Sequence, residues 1–448
     1  MHELLLVTIV VLLVSALLLP FIRSKNNNYI AAGVSAALTA YWIYSIITTK
    51  FAPGTFIIDH ITDAVAIASL FAGSLISLSY RRLDGRSNVA SSLLLIGILG
   101  TILVASTLNP LIILASWGLL SIASYGIAAI PKDKVSLGNS LKYAFMGGLS
   151  LQFLLLAVFL IFSGSLPAAA MLGFALLFVA IGFKVGAVPF HMWLPDVYGS
   201  SDPISVSALS AIMKLGPLAL MLRIMFYLTS RLSASAFNAL LIIGTIIAVL
   251  TMTWGNVAAT VQNSVQRILA YSSISHVGFI LMGLVVAMAS HYYGVSAYFV
   301  LIGIFIYFFS YSISKTNAFT FIRGFSDKKL ESIKGAGVKC GTSSAMFSIS
   351  LLNLLGLPPL IGFWGKLLIF MSAANPALRV FFIGPVPWFT IIAIINSVIS
   401  AFYYVKIIQH LYATGEVKAD FSRLNATIII TGLFLIISGL IVPLVLSI

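Results

Sequence analysis

The chain contains fourteen long apolar runs separated by short polar turns, and this pattern limits it to one class of fold. Each run is close to, or longer than, the roughly 20 residues that an α-helix needs to cross a bilayer. Only 8% of the residues are charged, whereas soluble domains carry about 25%. The mean hydropathy of +1.10 is too high for a soluble chain to bury its apolar surface. We therefore predict an all-α, polytopic membrane protein with about 14 transmembrane helices.

The predicted spans begin near Glu3, Tyr29, His60, Val89, Pro110, Leu141, Ala168, Pro203, Ala236, Ile268, Gly294, Thr342, Pro387 and Asn425. Loop charges test this count, because positively charged loops face the cytoplasm. Connections after odd-numbered spans carry fifteen lysines and arginines, and connections after even-numbered spans carry three. A missed span would mix the two groups. The bias predicts cytoplasmic basic loops and two termini outside. The expected location is the plasma membrane of a prokaryotic cell.

Composition and motifs exclude several other functions. The net charge of +14 follows from the basic loops, and no basic–aromatic run predicts nucleic-acid binding. The single cysteine, Cys340, excludes an internal disulfide and a cysteine-ligated cluster. The histidines and carboxylates have no metal-binding spacing, and the glycines form no phosphate-binding loop. We therefore predict no metal site on this chain.

Prolines interrupt two of the spans. Span seven runs into VGAVPFHMWLP, which contains Pro189, and span twelve reads SISLLNLLGLPPLIGFWGKLLIF, which contains Pro358 and Pro359. Proline removes a backbone donor and breaks the helix. Broken helices at membrane depth persist only where protein or trapped water satisfies the freed groups. We therefore predict a hydrated or protein-lined interior beside each break.

The two breaks lie five spans apart, which predicts an internal repeat. A unit with an odd number of helices enters the bilayer upside down in its second copy, so the repeats would be inverted. The predicted units are an N-terminal group of three helices (1–88), a first five-helix repeat (89–235), a second five-helix repeat (236–412) and a C-terminal helix (413–448).

Four lysines lie inside predicted spans: Lys184, Lys214, Lys315 and Lys366. A lysine at mid-helix costs about 2.5–3.5 kcal/mol on insertion scales. A buried amine loses the hydration of its charged form, so it can bind and release a proton near neutral pH. Such groups, joined by water, would form a proton relay. Two alternatives remain: some of these side chains snorkel to the interface, or they tune ion binding without transferring protons.

Polar side chains accompany these lysines. His191 lies in the first break and His276 in YSSISHVG; each is either a titrating relay group or an ordinary structural hydrogen bonder. Arg223 lies late in span eight, and Asp63 is the deepest carboxylate. The remaining polar candidates are Asn317, Asn353, Asn396, Tyr311, Tyr403 and Tyr404.

Five stretches together resemble the antiporter-like membrane subunits of respiratory complex I. They are FKVGAVPFHMWLPDVY, SALSAIMKLG, QRILAYSSISHVGFILMG, LLNLLGLPPLIGFWGK and NSVISAFYYVKI, and they extend over spans four to thirteen. Subunits of multisubunit cation/proton antiporters and of membrane-bound hydrogenases belong to the same family. The YYVK sequence and the modest length are most similar to the subunit N (or subunit 2) type.

The resemblance implies a fourteen-helix fold with a proton path along a polar axis at mid-membrane. It places the family's three relay lysines on Lys184, Lys214 and Lys366. It also implies that this chain carries no redox cofactor, and that quinone and redox centres belong to partner subunits. The expected partners are the lipid bilayer, other membrane subunits of such an assembly and the transported protons.

One position departs from the family pattern. The family places a glutamate in span five to pair with the span-seven lysine, whereas LIILASWGLLSIASYGI has Gly118 there. Lys184 would then pair with a carboxylate of a neighbouring subunit, stay mostly neutral, or belong to a degraded site.

The interpretation that follows is a proton-translocating membrane subunit of a complex I-like quinone oxidoreductase. The alternatives are a subunit of a cation/proton antiporter or hydrogenase, a scaffold paralogue with impaired conduction, for which Gly118 is the evidence, and an unrelated solute transporter. The electron donor, the quinone and the choice between H⁺ and Na⁺ stay open.

Overall fold

The computed structural model describes residues 2–22, 27–48, 56–80, 87–131, 133–163, 167–229, 231–417, 419–421 and 424–446. Within these residues the chain is helical, and its only β-type pairings are isolated bridges. Thirteen helical segments within the described residues are long and apolar enough to cross a membrane, and one of them, Pro203–Thr229, consists of two consecutive helices. A fourteenth crossing consists of two shorter apolar helices, Gly341–Leu355 and Ile361–Ala373. The predicted all-α, polytopic fold is therefore confirmed.

The helices in chain order are α1 (His2–Leu18), α2 (Asn27–Thr48), α3 (His60–Ser79), α4 (Ser87–Ala105), α5 (Pro110–Ala128), α6 (Lys134–Ser163), α7 (Pro167–Val185), α8 (Trp193–Ser200), α9 (Pro203–Ala211), α10 (Leu215–Thr229), α11 (Ala234–Thr260), α12 (Val265–Tyr292), α13 (Tyr298–Arg323), α14 (Ala336–Lys339), α15 (Gly341–Leu355), α16 (Ile361–Ala373), α17 (Trp388–Tyr412) and α18 (Asn425–Leu446).

Most helices begin within a few residues of the predicted position, and α6 shows the largest difference. It begins at Lys134 rather than Leu141, because the Asp133 carboxylate accepts a hydrogen bond from the Ser136 N–H at 2.9 Å and caps two polar turns. The helix therefore extends beyond its apolar run.

Several cations on which the predicted orientation depends lie outside the described residues. They are Arg23, Lys25, Lys50, Arg81, Arg82, Arg86, Lys132, Lys418 and Arg423. The orientation and the boundaries of the repeats stay predictions.

The span formed by α9 and α10, together with α12, is enclosed by other helices along its whole length. α13 lies beside them and packs on α3, α9, α12, α15, α16 and α18. By contrast, α1 and α18 expose apolar side chains such as Leu6, Leu17, Leu440 and Leu444. The inner helices therefore carry their polar side chains away from lipid.

The first break lies between α7 and α8 and is satisfied by neighbouring groups. The Val188 N–H donates to Thr251 Oγ1 on α11 at 3.1 Å, and Trp193 Nε1 donates to the Phe183 carbonyl at 2.8 Å. These bonds fix the break around Pro189, as the sequence analysis predicted. The freed backbone thus finds protein partners at membrane depth.

The second break, at Pro358 and Pro359, is fixed by one side chain. Asn353 Nδ2 lies 2.7 Å from both Ser310 Oγ and Ser314 Oγ on α13, and its Oδ1 accepts the Gly362 N–H at 2.8 Å. Asn353 therefore joins the end of α15 to the start of α16 and anchors both to α13.

A third break, which the sequence analysis did not predict, separates α9 from α10. Residues 212–214 form a turn, so Lys214 lies in that turn and not inside a continuous helix. Pro217 provides the physical reason, since its ring clashes with the carbonyl four residues earlier, that of Met213, and it has no N–H to donate there.

Arg223 finds a carboxylate at one end of the bundle. Its Nη2 lies 2.5 Å from Asp59 Oδ1 and its Nη1 lies 2.9 Å from Asp59 Oδ2. The guanidinium also donates to Thr62 Oγ1 at 2.6 Å and to the Ala105 carbonyl. This clamp joins α10 to the start of α3 and the end of α4. Asp63, the deepest predicted carboxylate, lies in the first turn of α3.

Replacing Asp59 with alanine should destabilise the chain by about 3 kcal/mol, because it leaves the buried Arg223 guanidinium without its counter-charge. The measurement is thermal unfolding of the purified complex in detergent. Glu416→Gln, at an exposed loop position, serves as the control. The double variant Asp59→Leu with Arg223→Met should recover much of the loss; a double variant no more stable than Asp59→Ala would contradict the clamp.

Candidate functional site

The four interior lysines are buried in the bundle. Lys184, Lys214, Lys315 and Lys366 are 3%, 2%, 0% and 4% exposed. Within the described part of the chain, none of them forms an ion pair with a carboxylate. Hydroxyls, carbonyl oxygens and aromatic rings surround them instead. None of the four reaches the surface of the chain as a snorkelling side chain would.

Lys184 lies in the last turn of α7 and points to α5 and α6. Its Nζ donates to Ser121 Oγ at 3.0 Å and to Ser124 Oγ at 3.2 Å. The same Nζ lies 5.0 Å from the ring centroid of Tyr125 and 5.5 Å from that of Tyr143. Two hydroxyls and two aromatic rings thus meet the amine.

Gly118 lies on the same helix as the two serines, about one turn before Ser121. A Cβ atom built on Gly118 would have no heavy atom within 4 Å. Lys184 therefore contacts α5, the helix on which the family resemblance places a carboxylate. In this chain the amine contacts two serine hydroxyls of that helix instead. Gly118 also leaves space for a larger side chain.

Lys214 lies in the turn between α9 and α10. Its Nζ is 5.4 Å from the Tyr198 ring centroid. Among the described residues, neither this Nζ nor the Tyr198 hydroxyl has a hydrogen-bond partner, and both atoms are buried. Buried polar atoms almost always bond to protein or to ordered water. These two atoms are therefore points at which water would continue a hydrogen-bonded path.

A continuous hydrogen-bonded file starts at Lys315 on α13. Its Nζ donates to Ser272 Oγ at 2.8 Å, and that oxygen lies 2.5 Å from the Tyr404 hydroxyl. The Tyr404 hydroxyl is 2.9 Å from His276 Nε2, and His276 Nδ1 is 2.6 Å from the Tyr307 hydroxyl. We call these five side chains the Lys315 file. They join α12, α13 and α17.

The Lys315 file includes two residues that the sequence analysis did not select, Ser272 and Tyr307. Tyr307, Tyr311 and Lys315 follow one another at intervals of four on α13. Such a spacing places them on one helix face, and this was the available signal. Tyr311 begins a second network, because its hydroxyl lies 2.8 Å from Ser210 Oγ, which is 3.1 Å from Ser273 Oγ. This network joins the helix that precedes Lys214 to α13.

Lys366, on α16, lies against the end of α15. Its Nζ donates to the carbonyls of Leu354 and Leu355 at 3.0 and 2.8 Å, and to Ser397 Oγ at 3.2 Å. The last carbonyls of a helix lack intrahelical donors and carry the negative end of its dipole. The ammonium therefore caps α15. An apolar cavity of about 340 Å³ between α16 and α17 opens beside it.

His191 is not joined to the lysines by a hydrogen bond in the described residues. It lies in the first break, half-buried, with its ring 5.8 Å from that of Trp254 in an edge-on arrangement. Its Nδ1 is buried and has no protein partner. The structure thus brings Lys315 and His276 together and leaves His191 apart.

Ionisable groups also meet at the start of α9. Asp202 caps that helix through the Ile204 N–H at 3.0 Å and pairs with Arg323 at 2.6 Å. Burial raises the pKa of Asp202, and the guanidinium opposes that rise. Burial, and then Arg323, lowers the pKa of Lys328 to about 8.

No group of three or more His, Cys, Asp or Glu side chains in the described ranges could hold a metal ion. The prediction that redox centres belong to partner subunits remains a prediction.

Sequence relatives agree with this architecture. The NADH:quinone oxidoreductase/Mrp antiporter transmembrane family matches residues 107–400. NADH-quinone oxidoreductase subunit N 2 of Acidobacterium capsulatum is 31% identical over 395 residues, which are 80% of this chain and 77% of that protein. Subunit N of Granulibacter bethesdensis is 28% identical over 435 residues, covering 89% of this chain and 86% of that protein.

Solved structures match along almost the whole chain. A chain of respiratory complex I from Thermus thermophilus with bound aureothin is 27% identical with a TM-score of 0.82, and the match covers 99% of this chain and 98% of that one. A chain of the Mrp complex from Dietzia is 17% identical with a TM-score of 0.84, covering 99% and 95%, and supports the fold alone. The chain belongs to the NADH:quinone oxidoreductase/Mrp antiporter family of transmembrane subunits.

Proposed function

We propose that this chain is the subunit N-type, proton-translocating membrane subunit of a complex I-like quinone oxidoreductase. The Lys315 file carries this proposal, because it is an unbroken series of donors and acceptors whose five side chains are all buried. The relatives named as NADH-quinone oxidoreductase subunit N support the assignment. NADH or another donor would reduce quinone on partner subunits.

Protons move along the Lys315 file by exchange at each group. The Ser272 and Tyr404 hydroxyls each have two neighbours in the file, so each can accept one hydrogen bond, donate another and pass a proton when a neighbour changes state. Both ring nitrogens of His276 have hydroxyl neighbours, so the ring can take a proton on one nitrogen and release one from the other. Lys315 supplies the amine that stores the proton.

The Lys315 file ends beside α16. Gly365 packs on Tyr307 so closely that a Cβ atom there would lie 3.0 Å from the Tyr307 nitrogen. Lys366 is the next residue of the chain. At the Lys315 end of the file, the hydrogen bond between Ser210 and Tyr311 connects α9, the helix that precedes Lys214, to α13. We infer that Lys184, Lys214, Lys315 and Lys366 act in series, with water between those that share no bond. His191 is the remaining relay candidate, beside the first break.

We also propose that the membrane is the plasma membrane of a prokaryotic cell, with the basic loops in the cytoplasm and both termini outside. The charge difference between odd and even connections supports this orientation. A cysteine introduced in place of Lys329, in an exposed basic loop, should react with a membrane-impermeant thiol reagent only in inside-out vesicles. Labelling in intact cells would contradict it.

One alternative function has support from the family. The family model that matches residues 107–400 covers Mrp antiporter subunits, which fits a subunit of a cation/proton antiporter, and the membrane-bound hydrogenases are a related option. Purification of the intact assembly followed by mass spectrometry separates the candidates. We expect iron–sulfur subunits and a quinone-reducing module to co-purify. An assembly that contains antiporter subunits alone would contradict the proposal.

Lys214→Ala and Lys366→Ala should each lower the number of protons pumped per electron, because each removes a proton-storing amine from the series. The measurement is proton-to-electron stoichiometry in reconstituted vesicles, with assembly checked by native electrophoresis. Lys329→Ala, at an exposed loop lysine, is the control. Unchanged stoichiometry in both interior variants would exclude their relay role.

Tyr404→Phe should lower proton flux about tenfold, equivalent to about 1.4 kcal/mol, because it removes the hydroxyl between Ser272 and His276. Tyr293→Phe is the matched control, since the exposed Tyr293 hydroxyl donates to Asn238 Oδ1 at 3.0 Å, away from the Lys315 file. Equal flux in the two variants would show that protons bypass Tyr404.

A further inference from the structure

We propose that two tyrosine rings take the place of the missing carboxylate and hold the ammonium of Lys184. We call Ser121, Ser124, Tyr125 and Tyr143 the lysine box. This inference rests on the proposed proton-translocating function and adds the groups that retain one proton. It identifies Tyr125 and Tyr143 as positioning residues that the sequence analysis did not select.

The lysine box surrounds the amine from two helices. α5 supplies the two serine oxygens, at 3.0 and 3.2 Å from Lys184 Nζ, and the Tyr125 ring at 5.0 Å. α6 supplies the Tyr143 ring at 5.5 Å. A cation within about 6 Å of an aromatic centroid is attracted by the ring quadrupole, and this attraction increases when the site is desolvated. Both rings satisfy that distance, and Lys184 is buried.

The rings of the lysine box are held by the first break. Tyr143 stacks on Trp193, with centroids 4.1 Å apart and planes at 14°, and the Tyr125 ring meets Tyr143 edge-on at 4.9 Å. Trp193 Nε1 donates to the Phe183 carbonyl, beside Lys184 in the chain. The break therefore fixes the second ring and the amine relative to each other.

Gly147 gives the Tyr125 ring its space. A methyl group at Gly147 would overlap the Tyr125 hydroxyl, whereas one at the neighbouring Gly148 would have no heavy atom within 4 Å. The ring position thus depends on a glycine that does not touch the lysine. These two adjacent glycines provide a matched pair of variants.

Rings and hydroxyls hold an ammonium differently from a carboxylate. A carboxylate carries a full negative charge, so releasing the proton requires an ion pair to be separated. The lysine box has partial charges only, so Lys184 can release its proton without opening such a pair. Gly118 is then consistent with a working site and not with a degraded one.

Other ionisable groups lie on the elements packed around the lysine box. Lys142 on α6 and Asp196 on α8 pair with each other at 2.5 Å. Tyr198 lies on α8, beside Lys214. His191 lies in the break itself and makes no hydrogen bond to Lys184. None of these groups supplies a carboxylate to the amine.

The test measures proton-to-electron stoichiometry as a function of pH for the intact complex in vesicles. In Tyr125→Leu and Tyr143→Leu, loss of a ring should move the pH of half-maximal pumping about one unit toward acid. Tyr125→Phe keeps the ring face and should retain the original profile. Gly147→Ala should move the profile in the same direction as Tyr125→Leu, and Gly148→Ala should not.

A rescue variant separates the lysine box from general packing. Gly118→Glu introduced into Tyr125→Leu should return the profile toward the original pH or beyond it, because a carboxylate then faces the amine. If assembled Tyr125→Leu and Gly147→Ala complexes pump with the wild-type dependence on pH, the proposal that the lysine box holds the ammonium is wrong. If Tyr125→Leu does not assemble, the two glycine variants decide the question. The proposed function fails separately, if the wild-type complex pumps no protons during quinone reduction.

Discussion

Four ammonium groups enclosed in a helix bundle must be stabilised by the bundle itself, because hydrocarbon provides neither water nor counter-ions. In the described residues only Arg223 among the enclosed basic side chains has a carboxylate. Two serines and two rings meet Lys184, and the end of α15 meets Lys366. Hydroxyls, aromatic rings and carbonyl oxygens, which carry partial charges, thus surround these two lysines in place of a carboxylate. The proposed relay depends on this property, because an amine held by partial charges can release its proton without separating an ion pair.

The helix breaks follow from this requirement. Lys184 lies in the last turn before the first break, Lys214 in the turn between α9 and α10, and Lys366 shortly after the second break. At the first two breaks, freed backbone groups bond to polar side chains: the Val188 N–H donates to Thr251 Oγ1 and the Gly362 N–H to Asn353 Oδ1. Lys315 lies inside an uninterrupted helix, and it depends instead on Ser272 and the file beyond it. Three of the four interior lysines therefore lie at or near a helix break.

The sequence was sufficient for the spans and for two of the breaks, because hydropathy and proline act locally. It did not predict the break at Lys214, since Pro217 acts on a carbonyl four residues earlier and leaves no gap in the apolar run. The Arg223–Asp59 pair joins residues 164 positions apart, so only packing reveals it. That Gly118 takes the place of the family carboxylate stays a prediction from the resemblance. The rings that meet Lys184 come from two helices, and no local pattern indicates them.

The four lysines are proposed to act in series. Lys315 tests this proposal most directly, because the Lys315 file begins at its amine. The measurement is the number of protons translocated per electron by the reconstituted complex with Lys315→Ala, at an unchanged rate of quinone reduction by partner subunits. A relay in series predicts a lower number, because the proton can no longer enter the file. The same number as in the wild-type complex would contradict the relay.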